Sequence, residues 1–259
     1  MPDPVLLAVS ERIATVTLNR PDARNALSSE VLDLLPALLI EADGRDDVDV
    51  VILTGTDPAF CAGLDLKELG STAGNIGRTN RTDGSHGPFP PMTKPVIGAI
   101  NGPAVTGGFE IALNCDFLVA SERARFGDTH TRVGVMPGWG MTVLLPQAIG
   151  VRRAREMSYT GNFLTAQEAY DWGLVNHVVP HAELLPFTRR LALDMINNDQ
   201  AGVRQIRRTY ADVVGTTVTD GWEVEARDSR AWSAARFDPA EIERRRAAII
   251  ERGRSMKSN

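Results

Sequence analysis

The sequence has two cysteines, four histidines, few aromatic residues and no long uninterrupted apolar run. Cys61 and Cys115 both lie in apolar contexts, which excludes a disulfide framework and leads us to expect reduced thiols in a cytoplasmic compartment. His86, His130, His177 and His181 show no metal-ligand spacing, so neither a zinc site nor another catalytic metal is expected. Also missing are a GxGxxG turn after a strand, a phosphate loop ending in Gly-Lys-Ser/Thr and a GxSxG nucleophile elbow, so no organic redox cofactor is expected either. The opening MPDPVLLAVSER has no basic stretch followed by a long apolar one, and reads as neither a signal peptide nor a membrane span. A net charge of −5 gives no general attraction to nucleic acid or anionic membranes, although Arg and Lys are dense from Arg244 to Lys257.

What is present is enough to build a sizeable core: 259 residues, 43% of them hydrophobic. Ile13 to Asn19 alternates apolar and polar residues, a half-buried strand ending at Arg20-Pro21-Asp22. Ser28 or Ser29 caps a helix with Val31, Leu34, Leu35, Leu38 and Leu39 on one face. Val48 to Thr54 and Pro95 to Ile100 are continuous β-branched runs, as expected of strands covered on both faces. Strand and helix alternate through the first half, which predicts an α/β arrangement. Between these runs, Gly70 to Pro91 is rich in Gly, Ser, Thr, Asn and Pro and reads as a loop or lid over a site. Beyond Pro137-Gly138 the pattern is mostly helical, with a capping box at Thr165 to Glu168 and periodic segments after Glu183 and Asp199. We take 1–195 as the α/β core and 196–259 as a helical C-terminal region.

Ile97 to Asp116, IGAINGPAVTGGFEIALNCD, carries the chemistry. A short apolar strand breaks at a glycine loop, and the helical pattern that follows holds one carboxylate, Glu110, among Phe109, Ile111, Ala112 and Leu113. A charge in such company is costly unless paired or used, and a perturbed carboxyl group is equipment for proton transfer. Gly107-Gly108, where loop becomes helix, leaves backbone N–H groups free to hold an oxygen that gains negative charge. Phe60 to Asp65 can present a further N–H from Leu64, and Arg125 to His130 brings Asp128 and His130 close together.

These motifs resemble those of the crotonase (enoyl-CoA hydratase/isomerase) superfamily. The resemblance runs through Arg20-Pro21, Asn25-Ala26-Leu27, AFCAGLDLKEL, KPVIGAINGPAVTGGFEIALNCD, FGDTHTRVGVMPGWG and Ala169 to Val175. It implies a ClpP/crotonase-like α/β fold of repeated ββα units, followed by helices that mediate trimerisation, often with two trimers stacked as a hexamer. It also implies an acyl-CoA substrate, with coenzyme A as part of the substrate and no other cofactor. By motif position Leu64 and Gly107 are the oxyanion-hole donors, and Arg24, Ala26, Ala62, Asp65 and Leu66 fall at the CoA-binding segments. Thr106, Met136 and Trp139 fall at the acyl pocket. Hydratases of the family oppose two glutamates; Glu110 matches the first, while His130 stands in place of the second, with Asp128 two residues before it.

Three activities follow from that pattern. The first is hydration of a trans-2-enoyl-CoA to the 3-hydroxyacyl-CoA, with Glu110 as principal acid/base and His130 or Asp128 assisting. An imidazole titrates near neutrality and can both donate and accept protons, so His130 either replaces the second glutamate or is a bystander. The second is 3-enoyl-CoA to 2-enoyl-CoA isomerisation by a single carboxylate. The third is an acyl-CoA-binding scaffold with little turnover.

Overall fold

The computed structural model describes residues 3–75 and 87–255. In chain order the elements of the first part are β1 (Val5–Ser10), β2 (Ile13–Leu18), α1 (Ser29–Gly44), β3 (Val50–Gly55), α2 (Leu66–Ser71), β4 (Val96–Ile100), β5 (Pro103–Val105) and α3 (Gly107–Leu113). They are followed by β6 (Phe117–Ser121), β7 (Arg125–Gly127), α4 (His130–Val133), α5 (Met141–Ile149), α6 (Val151–Thr160), β8 (Phe163–Thr165), α7 (Ala166–Asp171) and β9 (His177–Val179). Four longer helices complete the chain: α8 (Leu184–Ile196), α9 (Gln200–Val213), α10 (Val218–Arg236) and α11 (Pro239–Ser255).

A six-stranded sheet runs in the order β1-β2-β3-β4-β6-β9, and β5-β7-β8 form a smaller one. Only the β1/β2 pair is antiparallel in the large sheet; from β2 onward each neighbour is parallel. The period of two along a strand divides its side chains between two cores. Ala14, Val16, Leu18, Val51 and Leu53 join the main cluster with Val31, Leu35 and Leu39 of α1, whereas Ile13, Val50, Ile52, Ile97 and Val119 pack beneath Leu184 and Ala192 of α8. That two-sided burial is why β3 and β4 are continuous apolar runs in the sequence. Ser28 is the cap of α1, its hydroxyl accepting from Val31 N, and Thr165 and Glu168 complete their capping box at α7.

Two features differ from the sequence expectation. The first strand, β1, was not among the expected elements, because its solvent-facing positions carry Leu6 and Ala8 and blur the alternation. Within the expected Gly70 to Pro91 loop, α2 extends to Ser71, Thr72 to Asn75 continue in turns, and residues 76–86, including His86, lie outside the described residues.

The chain divides into two compact units, up to Arg204 and from Gln205. The division falls within α9. The second unit holds the remainder of α9, α10 and the described part of α11. Its helices carry i,i+3 and i,i+4 ion pairs such as Arg244 and Arg245 to Glu241.

Candidate active site

The loops that leave β3 and β4 are tied together before they diverge. Asn101, just after β4, accepts from Gly55 N at 3.2 Å through its Oδ1 and donates Nδ2 to Ala59 O at 3.2 Å and Asp57 Oδ1 at 3.0 Å. Beyond this tie the 61–65 segment lies between two others: Val105 N donates to Cys61 O at 2.9 Å, Leu27 N to Gly63 O at 2.8 Å and Asp65 N to Leu27 O at 3.0 Å. That parallel bridge uses the Gly63 carbonyl and the Asp65 amide, which leaves the Leu64 amide outside the ladder. Gly107 is the first residue of α3, so its N–H has no acceptor within the helix. Gly108 has to be glycine, because a Cβ there would sit 2.3 Å from Cys61 O. Burial pushes the Cys61 thiol up to about 12, so it packs rather than reacts.

Glu110, in the first turn of α3, is buried. Its Oε1 accepts from two backbone amides, Trp139 N at 2.8 Å and Met141 N at 3.2 Å. Between those residues Gly140 has φ 117°, a left-handed conformation that favours glycine and lets both amides converge on one oxygen. Asn114 fastens this turn from the helix side, with Nδ2 donating to Trp139 O at 2.9 Å and Glu110 O at 2.8 Å. Held in this way, Glu110 turns its Oε2 to His130 Nε2, 3.4 Å away.

The other ring nitrogen, His130 Nδ1, lies 2.6 Å from Asp128 Oδ1, which also accepts from His130 N at 3.3 Å. Both residues are buried. Burial alone would lower the His130 pKa, but the hydrogen bonds and charges of Asp128 and Glu110 outweigh it and raise it to about 9. Burial works the other way on Asp128, where the hydrogen bonds from His130 and Ser158 prevail and hold its carboxyl below the usual range. The result is an imidazolium between two carboxyl groups, one orienting it and the other facing it across the site.

A cavity of about 320 Å³ opens here, lined by Leu64, Gly107, Glu110, His130, Trp139 and Thr106 among others. Of the residues expected at the acyl pocket, Trp139 is only 4% exposed, with its indole against Gly107, where a Cβ would meet Cζ3 at 2.6 Å. Met136 is 85% exposed and stands at the rim. Of those expected to hold CoA, Ala62 and Leu66 line the cavity and Arg24 flanks it through the Ala62 N to Arg24 O bond at 3.1 Å, whereas Ala26 is not among the lining residues. Asp65 is already engaged: it caps α2 through Lys67 N and Glu68 N and pairs with Arg20 at 3.0 Å. The sequence reading missed Asn114 and the Trp139 and Met141 amides. The Gly138-Trp139-Gly140 turn was the available signal, since glycines flanking one residue mark a backbone that exposes its N–H groups.

The enoyl-CoA hydratase/isomerase family model matches residues 8–236. The chain belongs to the enoyl-CoA hydratase/isomerase family. It is 41% identical over 203 residues to probable enoyl-CoA hydratase 1, peroxisomal, of Arabidopsis thaliana, covering 77% of this chain and 75% of that one. Crotonyl-CoA hydratase of Syntrophomonas wolfei is 32% identical and covers 96% of this chain, itself covered to 98%. The crystal structure of an enoyl-CoA hydratase from Mycobacterium tuberculosis superimposes with a TM-score of 0.76 at 49% identity, over 88% of this chain and 98% of that one. The fold of this family member is the crotonase fold expected from its motifs.

Proposed function

We propose that this chain hydrates trans-2-enoyl-CoA thioesters to 3-hydroxyacyl-CoA. The observation that carries the reading is the approach of His130 Nε2 to Glu110 Oε2, 3.4 Å apart, in the cavity that Leu64 and Gly107 also line. Adding water across the double bond needs a base for the water and an acid for the α-carbon. Glu110 Oε2 takes a proton from water as its oxygen bonds to Cβ, and the π electrons of the double bond move through Cα onto the thioester oxygen. The Leu64 and Gly107 amides hold that oxygen as it becomes an enolate. His130 Nε2 then delivers its proton to Cα, and Glu110 returns the water proton to the imidazole, which restores both groups. One water is consumed and no electrons are exchanged, so the reaction needs no cofactor beyond the coenzyme A of the substrate. Isomerisation needs only one carboxylate to carry a proton between carbons, and leaves the facing imidazolium without a part.

In the same reading Arg24, which is exposed and whose carbonyl accepts from the amide of the cavity residue Ala62, meets the phosphates of CoA. We further propose that the protein works as a homotrimer, or as two stacked trimers, in the cytoplasm. Trp222, Val218, Phe237 and Ile249 in the second unit are all mostly exposed in the single chain, and large apolar side chains of this kind mark surfaces that associate. Cys61 and Cys115 are buried and not joined in a disulfide, which suits a reducing compartment, and no described helix is long and apolar enough to cross a membrane.

Mass-spectrometric product analysis over a panel of trans-2- and 3-enoyl-CoA thioesters tests the activity. The 2-enoyl substrates should gain one water; an unchanged mass with a shifted double bond would replace hydration by isomerisation, and no turnover with tight binding would leave a scaffold.

A further inference from the structure

Thr106 stands at the junction of the two donor segments. It precedes Gly107, and its Oγ1 lies so close over Gly63, the residue before Leu64, that a Cβ on Gly63 would come within 2.0 Å of it. Its backbone is at φ 47° and ψ −119°, a conformation that glycine adopts freely and a β-branched residue adopts only under strain. Strain of this kind persists where the surroundings impose it, and it collects at functional sites. The backbone of Thr106 is fully used, with N donating to Gly127 O at 3.0 Å and O accepting from Glu110 N at 2.9 Å. The hydroxyl is different. It does not cap α3, it makes no hydrogen bond to another side chain or backbone group among the described residues, and it is not among the sealed, unsatisfied polar atoms. Thr106 itself borders the cavity shared with Leu64, Gly107 and Glu110.

We propose that the Thr106 hydroxyl is a third hydrogen-bond donor to the thioester oxygen, beside the Leu64 and Gly107 amides, an assignment that rests on the hydration reading above. The thioester oxygen offers only lone pairs, and a hydroxyl can rotate its hydrogen toward an acceptor without moving the backbone. As the oxygen becomes an enolate the bond changes from neutral to charge-assisted and strengthens, so Thr106 acts on the transition state more than on the bound substrate. Thr106 is therefore a catalytic residue of the site, and the strained backbone is what aims its side chain between the two donor segments.

The test compares Thr106→Ala, Thr106→Ser and the wild type in hydration of trans-2-butenoyl-CoA. Loss of one principal oxyanion donor costs roughly 10²–10³ in kcat, and for an added donor we expect Thr106→Ala to lose about tenfold to a hundredfold in kcat with KM little changed. Thr106→Ser keeps the hydroxyl and should stay near the wild-type rate, which a space-filling role would not require. Retention of kcat in Thr106→Ala, or an effect confined to KM, overturns the proposal. A second readout needs no turnover: the carbonyl stretch of carbonyl-¹³C-labelled butanoyl-CoA bound to each protein, by difference infrared spectroscopy. The band should move toward its position in free thioester in Thr106→Ala and stay in place in Thr106→Ser; an identical band in wild type and Thr106→Ala refutes the assignment. Wild type that binds the thioester but hydrates no enoyl substrate would count against the hydratase reading alone, because the band still decides whether Thr106 reaches the carbonyl.

Discussion

At the scale of single residues, the site turns on what its neighbours do to His130. An imidazole ordinarily titrates near 6.5 and would be mostly neutral at physiological pH. Between Asp128 and Glu110 its pKa rises to about 9, so in the proposed mechanism it enters the reaction as an acid, with Glu110 as the base. Because the folded pKa lies above the unfolded one, the stability that His130 contributes is fully present below about 6.5 and is lost as pH rises through about 9. Hydration should fall over the same upper limb. Asp128→Asn removes the stronger partner of His130 and should move that falling limb of kcat/KM to lower pH. A limb that stays in place in the variant would mean that Asp128 does not govern the protonation of His130. Asp128 acts through His130, so the profile is a more telling readout than the rate alone.

At the scale of elements, the loops around the candidate site are held by ties between the ends of strands. His181, after β9, joins two of them: its Nδ1 is 3.0 Å from Ser121 Oγ at the end of β6 and its Nε2 is 2.9 Å from Asp57 Oδ2 after β3. The trio has the residue types of a hydrolase relay, but Ser121 is fully buried and both ring nitrogens are occupied, so it is a clasp. His181→Ala removes both bonds, while Ser121 keeps its bond from Arg123 N and Asp57 its bond from Asn101, so the loss is about 1 kcal/mol. For a unit of this size that lowers Tm by roughly 2–4 °C per kcal/mol. An unchanged Tm in thermal unfolding would show that the clasp adds nothing. The α3 helix and the 138–140 turn are coupled in the same manner by Asn114, and the Trp139 indole rides on that turn against Gly107. Trp139→Ala should widen the acyl pocket and shift the preference in kcat/KM from short toward longer or bulkier enoyl chains. An unchanged preference would place the indole outside the acyl path.

The same elements show what could be read from the sequence. The strands β3 and β4 were legible because burial on both faces writes itself as unbroken β-branched residues, and Glu110 was legible as one carboxylate in an apolar turn. The Leu64 and Gly107 donors came from motif resemblance, since a backbone N–H has no side-chain signature. For the same reason the amides of Trp139 and Met141 that hold Glu110 were not seen. That Nε2 of His130 faces Glu110, with Asp128 behind it, is a product of tertiary packing between α3 and the segment after β7, and no local pattern encodes it.

At the scale of the whole molecule, the first unit carries the candidate site and a two-sided core, whereas the second shows apolar residues to solvent in the single chain. Light scattering coupled to size exclusion should therefore report a mass of three or six chains, and Trp222→Asp should reduce it. A monomer at micromolar concentration would contradict the assembly. The central claim, that Glu110 and His130 together add water to an enoyl thioester, is tested most directly by the rate at which wild type, Glu110→Gln and His130→Gln hydrate trans-2-butenoyl-CoA at saturating substrate. Loss of a general acid or base is worth about 10²–10⁴ in rate, and each variant should lose at least a hundredfold. Full activity in either variant would contradict the pair, and full activity in His130→Gln alone would return the histidine to the role of bystander.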